Sequence, residues 1–128
     1  MTRARLQELL GCFQNLNIAV AGDLFIDRWY EIDEQLNEFS LETGITAYQV
    51  VRKRSQAGAA GTILNNLSAL GVGKLEAISM VGADGDGWEM LKCLQKCGVD
   101  TRQVIVSDLV VTPAYIKPQF PKEGNRSI

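Results

Sequence analysis

Histidine is absent from this chain, and cysteine is scarce, with three residues. An odd number of thiols does not suggest a disulfide framework. Cys93 and Cys97 lie four apart on a predicted helix and so share a face. With no histidine and no second pair, that spacing points to buried or half-buried thiols rather than a metal site. No apolar run approaches the roughly 20 residues needed to span a bilayer. The N-terminal stretch from Met1 to Leu10 is amphipathic and lacks an apolar core region with a cleavage site, so a cytoplasmic location is the default expectation. Excess positive charge is also missing. The formal net charge is −2, which implies neither a polyanion-binding surface nor a basic, aromatic-interleaved nucleic-acid face. The run Arg52-Lys53-Arg54 is too short to alter this and reads as a solvated strand end. No internal repeat or low-complexity tract is present.

What remains is an ordinary globular composition, 46% hydrophobic and 22% charged over 128 residues, enough for one domain with a core. Residues 3–14 predict a helix with Leu6, Leu9, Leu10 and Phe13 on one side. Residues 17–22 predict a short buried strand. The stretches 28–33 and 47–52 alternate and carry β-favouring residues, with a polar loop or short helical turn from Glu34 to Thr43. A helix over 59–70 leads to a strand at 75–81. A helix over 86–97 follows, with Trp88, Leu91, Cys93 or Leu94, and Cys97 facing inward and Gly98 as its C-cap. Strands at 103–107 and 110–117 close the readable part, and the Pro- and Gly-rich tail from Pro118 reads as a turn leaving a strand. Strand–helix alternation of this kind predicts an α/β sandwich with a mainly parallel sheet.

Three segments carry chemistry. Gly58-Ala59-Ala60-Gly61 opens the helix that places Ile63, Leu64, Leu67 and Leu70 on one apolar face and ends at Gly71. A small-residue turn running into a helix admits a ligand to free main-chain N–H groups; close packing of helix on sheet demands the same small residues. Gly22-Asp23-Leu24-Phe25-Ile26-Asp27-Arg28 follows the first strand, at the carboxyl end where ligands of α/β sheets bind. Its carboxylates can accept hydrogen bonds from sugar hydroxyls. Val81-Gly82-Ala83-Asp84-Gly85-Asp86-Gly87 follows another strand and opens another helix, and Asp84 reads there as a helix-capping or turn residue.

In this order, and with Thr112-Pro113-Ala114-Tyr115-Ile116-Lys117 after them, the segments resemble the N-terminal part of the ribokinase-like (PfkB family) carbohydrate kinases, over roughly residues 16–118. The Gly-Asp-x-x-x-Asp-Arg start and the Asn-Leu-x-Ala-Leu-Gly helix are most similar to the heptose-phosphate kinase type. The resemblance implies a ribokinase-like three-layer α/β/α sandwich, present in part, with a small β lid over about residues 28–54. It implies that residues 1–128 are the substrate-binding half of an ATP-dependent sugar or sugar-phosphate kinase. ATP and Mg2+ would serve the whole enzyme, and two copies would pair through the lid. In this family the catalytic base is the aspartate of a late Gly-Ala-Gly-Asp motif. No Gly-x-Gly-Asp occurs here in a matching context, so the ATP-binding and catalytic part is expected to lie outside the chain, and the 128 residues alone are expected to be inactive. A non-catalytic truncated paralogue, acting as a binding or dimerisation module, is the alternative. A Rossmann-like nucleotide-binding domain fits less well, because Gly22 is followed by Asp23 rather than by a Gly-x-Gly-x-x-Gly turn.

Residue by residue, the resemblance assigns Asp27 to the sugar hydroxyls, with a structural role as the competing reading. Asp23 either contacts the sugar or anchors the turn. Gly58 matches the first glycine of the family's Gly-Gly pair; Ala59 replaces the second, and Thr62 replaces the usual asparagine. Tyr115 and Lys117 share one strand face. Lys117 either meets a substrate phosphate as a point charge or faces solvent.

Overall fold

The computed structural model of the chain describes residues 1–120. In chain order the elements are α1 (Arg3–Cys12), β1 (Asn17–Ala21), β2 (Leu24–Ile32), β3 (Glu38–Phe39), β4 (Thr46–Ala47), β5 (Val50–Ala59), α2 (Ala60–Ala69), β6 (Lys74–Gly82), α3 (Gly85–Lys96), β7 (Val99–Ser107) and β8 (Ala114–Gln119). Short 3-10 turns lie at Phe13–Asn15 and Glu34–Leu36. The tail from Pro118, read as a turn leaving a strand, begins instead with Pro118 and Gln119 continuing β8; residues 121–128 lie outside the described residues.

The chain divides into two compact units. The first comprises residues 1–26 and 56–114; the second comprises residues 27–55 with, among the described residues, 115–120. In the first unit β1, β6 and β7 form a sheet in the order β1-β6-β7. Both pairings are parallel: Asn17 stands opposite Lys74 and Ala21 opposite Ile78, while Leu75 stands opposite Val99 and Gly82 opposite Ser107. Parallel neighbours need a crossover, and α2 and α3 supply the two. Leu64 of α2 and Met90 and Leu94 of α3 are fully buried in one cluster with Leu75, Ala77, Val81, Val99 and Val104 of the strands. Burying each such side chain contributes roughly 1.5–3 kcal/mol. Both helices therefore lie on the same face of the sheet. The opposite face carries Ile78, Met80 and Ile105, all exposed. Of the three layers expected, the sheet and one helical layer are present among these elements.

Several details depart from the sequence reading. Trp88 does not point inward; it is 64% exposed, with the Lys92 ammonium 5.8 Å from its ring. Gly87, Met90 and Leu94 are the buried residues of α3, and Leu91, Cys93 and Cys97 pack half-buried against the same core, as expected. Gly87 is small because a Cβ there would meet the Gly82 carbonyl oxygen at 2.1 Å, which leaves no room for a large residue to turn in beside it. On α2, Ile63 and Leu70 are exposed and Leu64 alone of the apolar set is fully buried. The helix α1 forms as expected, capped by the Thr2 hydroxyl accepting from Arg5 N–H, but buries no residue. Gly98, with φ +74°, ends α3 as its sequence position suggested.

A separate sheet has the order β5-β2-β8; residues 27–32 of β2, 50–55 of β5 and 115–119 of β8 belong to the second unit, as does the short antiparallel pair β3–β4. The strand β8 begins at Ala114 rather than residue 110, because Thr112 is taken up elsewhere: it is buried, and its hydroxyl accepts from Gly82 N–H at 2.8 Å. Glu34 to Thr43, read as a loop or helical turn, contains the 3-10 turn and β3, with the Asp33 carboxylate accepting from Gln35 N–H.

Candidate functional site

The candidate residues fall into two groups, one in each unit. The first surrounds the start of α2. The Asp23 main-chain carbonyl accepts from Ala60 N–H at 3.1 Å, tying the end of β1 to the helix. The Asp23 side chain itself is exposed. Ala59, the N-cap position, has φ +51° and ψ −120° and makes no side-chain cap hydrogen bond. It is the single non-glycine residue with positive φ among the described residues. A Cβ in that region crowds the main chain, at a cost of order 1–3 kcal/mol. Ala59 thus keeps a backbone conformation suited to the glycine it replaces in the sequence pattern.

Gly58 is not open to a ligand on its side-chain side. A Cβ placed there would lie 2.2 Å from the Phe25 ring. On that side the turn is closely packed, as helix-on-sheet packing demands. Gly61 is equally filled, its virtual Cβ 2.4 Å from that of Ala57. The Thr62 hydroxyl donates back to the Ala57 carbonyl at 3.4 Å, which is a local main-chain contact.

The second group lies on the β5-β2-β8 sheet. Strand periodicity places Asp27, Trp29 and Glu31 on one face of β2, and Tyr115, Lys117 and Gln119 on one face of β8. Lys117 does not simply face solvent: its ammonium forms an ion pair with Asp27 Oδ1. The Asp27 side chain is 14% exposed and that of Lys117 47%. The same ammonium sits 4.7 Å from the Trp29 ring centroid. On the other flank, Arg54 of β5 pairs with Glu31 at 3.1 Å, donates to the Gln119 side-chain oxygen at 3.1 Å and lies 5.9 Å from the Trp29 ring. Tyr115 is 59% exposed on the strand that carries Lys117. Trp29, Glu31 and Arg54 were not singled out from sequence as site residues. The alternation of β2 was the signal that places Trp29 and Glu31 beside Asp27.

Asp84 acts as the N-cap of α3. Its carboxylate accepts from Gly87 N–H at 2.7 Å and from Thr112 N–H at 2.8 Å. Those two main-chain donors, Thr112 first, hold its pKa below the ordinary carboxylate value. This is the capping role expected from the motif.

The described fold superposes on a carbohydrate kinase from Agrobacterium tumefaciens with TM-score 0.59 at 23% identity, covering 81% of this chain and 31% of that one. The fold is ribokinase-like. An uncharacterized sugar kinase from Pyrococcus horikoshii, in complex with ATP, matches with TM-score 0.53 at 28% identity over 77% of this chain and 29% of that one. Among curated proteins the chain is similar to the bifunctional protein HldE of Trichlorobacter lovleyi, 32% identical over 104 residues, 81% of this chain. The chain spans about a fifth of that relative's length, 21%. No protein-family profile matches the chain. The ribokinase-like chain thus stands near HldE in sequence and among sugar kinases in structure.

Proposed function

We propose that the chain is the sugar-binding portion of an ATP-dependent sugar or sugar-phosphate kinase, near the heptose-phosphate kinase type. The single observation that carries this reading is the Asp27–Lys117 pair on the face of β2 and β8. Asp27 offers a carboxylate for sugar hydroxyls, and Lys117 offers an ammonium for an anionic group on the substrate. The similarity to HldE and to sugar kinases supports the reaction class. Asp23 and the strained main chain at Ala59 keep proposed substrate roles at the start of α2; Gly58 and Thr62 act through packing and local hydrogen bonding. Tyr115 flanks Lys117 on the substrate face. Pairing of two copies through the second unit's sheet belongs to the same proposal.

The described residues contain no group of three or more His, Cys, Asp or Glu that could hold a metal ion. Mg2+ would need only one or two carboxylates beside the nucleotide phosphates, and no step of phosphoryl transfer is assigned to these residues. Asp27→Asn tests the reading, in a chimera joining residues 1–128 to the rest of a ribokinase-like kinase. An amide keeps the shape but replaces one acceptor oxygen by a donor. Hydrogen bonds to a charged group contribute roughly 1.5–3 kcal/mol each, so kcat/KM for the sugar should fall about ten- to a hundredfold with the nucleotide KM nearly unchanged. Equal damage to both substrates, with a lowered Tm, would make Asp27 structural.

A further inference from the structure

On β2 the order Asp27, Trp29, Glu31 sets an indole between two carboxylates on one strand face. Each carboxylate holds a cation from a flanking strand, Lys117 from β8 and Arg54 from β5, and both cations lie within reach of the same ring, at 4.7 and 5.9 Å. A half-exposed lysine ion pair is weak by itself, because a flexible four-carbon stem must be held in one geometry. The face of an indole adds a second attraction for the ammonium. Satisfying the Trp29 face and Asp27 Oδ1 together restricts Nζ to the small region that meets both.

We propose that Trp29 is a positioning residue: it holds the Lys117 ammonium against Asp27 and so sets the orientation of the carboxylate that faces the sugar. This rests on the sugar-kinase reading for the substrate, but the Trp29–Lys117–Asp27 linkage exists without any ligand. With Oδ1 engaged by Lys117, Oδ2 is the oxygen presented to a hydroxyl. The Lys117 ammonium is shared between the Asp27 carboxylate and the indole 4.7 Å away. Arg54, tied to Glu31 and Gln119, also lies 5.9 Å from the centroid of the same ring.

The test uses the 128-residue chain, with Trp29→Leu, Trp29→Phe, Lys117→Met and the Trp29→Leu/Lys117→Met double variant. Without ligand, the Lys117 ε-methylene proton resonances should be shifted upfield by the indole, keep part of that shift in Trp29→Phe and lose it in Trp29→Leu. The Asp27 carboxyl carbon resonance should move in Trp29→Leu in the direction it moves in Lys117→Met. Calorimetry with a heptose monophosphate should show affinity about two- to fivefold weaker in Trp29→Leu, near wild type in Trp29→Phe, and no further loss when Trp29→Leu is added to Lys117→Met. An unshifted ε-methylene in the wild-type chain, or an equal Trp29→Leu loss in the Lys117→Met background, would overturn the proposal. Absence of any sugar-phosphate binding by the wild-type chain would count against the sugar reading; the two ligand-free resonances would then decide the role of Trp29.

Discussion

The buried apolar cluster, from Leu24 through Leu64, Met90 and Leu94 to Val104, lies wholly in the first unit. The second unit buries one aliphatic side chain among its described residues, Ile32, together with the guanidinium-bearing Arg28. Its strands are cross-linked instead by Asp27–Lys117, by Glu31 with Arg54 and Arg52, and by Arg54–Gln119. Packing resists salt and tolerates no lost volume. Exposed ion pairs contribute little each and are screened. The two units should therefore respond to opposite perturbations, and the candidate substrate groups of the second rest on its weaker framework.

Volume loss in the first unit gives the largest expected effect. Leu94→Ala should destabilise the chain by about 2–5 kcal/mol in denaturant titration, since Leu94 is fully buried between α3 and the sheet. A change below 1 kcal/mol would remove the contrast between the units.

An intermediate effect is expected from the cap of α3, which sharpens the comparison because here the packed unit also uses charge. Asp84→Ala should cost about 1 kcal/mol at neutral pH. The folded carboxylate has its pKa held below the ordinary 3.8. Its stabilisation is thus complete above that value and is lost as pH falls through the lowered one. The stability gap between wild type and Asp84→Ala, followed by thermal melts into the acid range, should narrow in that window and stay constant above it. A gap that narrows instead towards alkaline pH would show that another group is responsible.

The smallest effect belongs to the charged sheet. Glu31→Gln should change stability by less than about 1 kcal/mol at low salt and by nothing measurable at high salt. Hydrogen exchange of β2 and β5 amides, followed with and without added salt, would reveal the local loosening. A salt-independent loss would mean that this sheet is held by packing after all.

Much of the first unit was legible because its signals are local. The small-residue start of α2, the Asp84 cap and the Gly98 exit each depend on a few neighbouring residues, and the structure realises all three. The parallel pairing of β1 with β6 followed from one strand–helix–strand rhythm. What escaped depends on distant partners. Residues 114–119 look like any strand; that β8 joins β2 rather than β7 is decided across some ninety residues, by partners such as Asp27 for Lys117. Phe25 filling the space beside Gly58 is hidden for the same reason. Trp88 was misplaced because hydrophobicity alone assigned it inward, whereas the close approach of Gly87 to Gly82 turns that part of α3 so that the indole faces out.

The register of the parallel sheet also sets an order in time. Pairing Asn17 with Lys74 closes 57 residues of chain (74 − 17), whereas pairing Leu75 with Val99 closes 24 (99 − 75). The longer closure costs roughly 0.8 kcal/mol more in chain entropy, before any contact compensates. On this hypothesis β6, α3 and β7 condense first, and β1 docks onto a ready-made edge. Leu94→Ala should then slow folding as well as weaken the fold, while trimming Ile18 to Val should mainly hasten unfolding; stopped-flow rates showing the reverse would place β1 in the nucleus. The strand that leads directly into Asp23 and Asp27 would be the last part of its sheet to be secured.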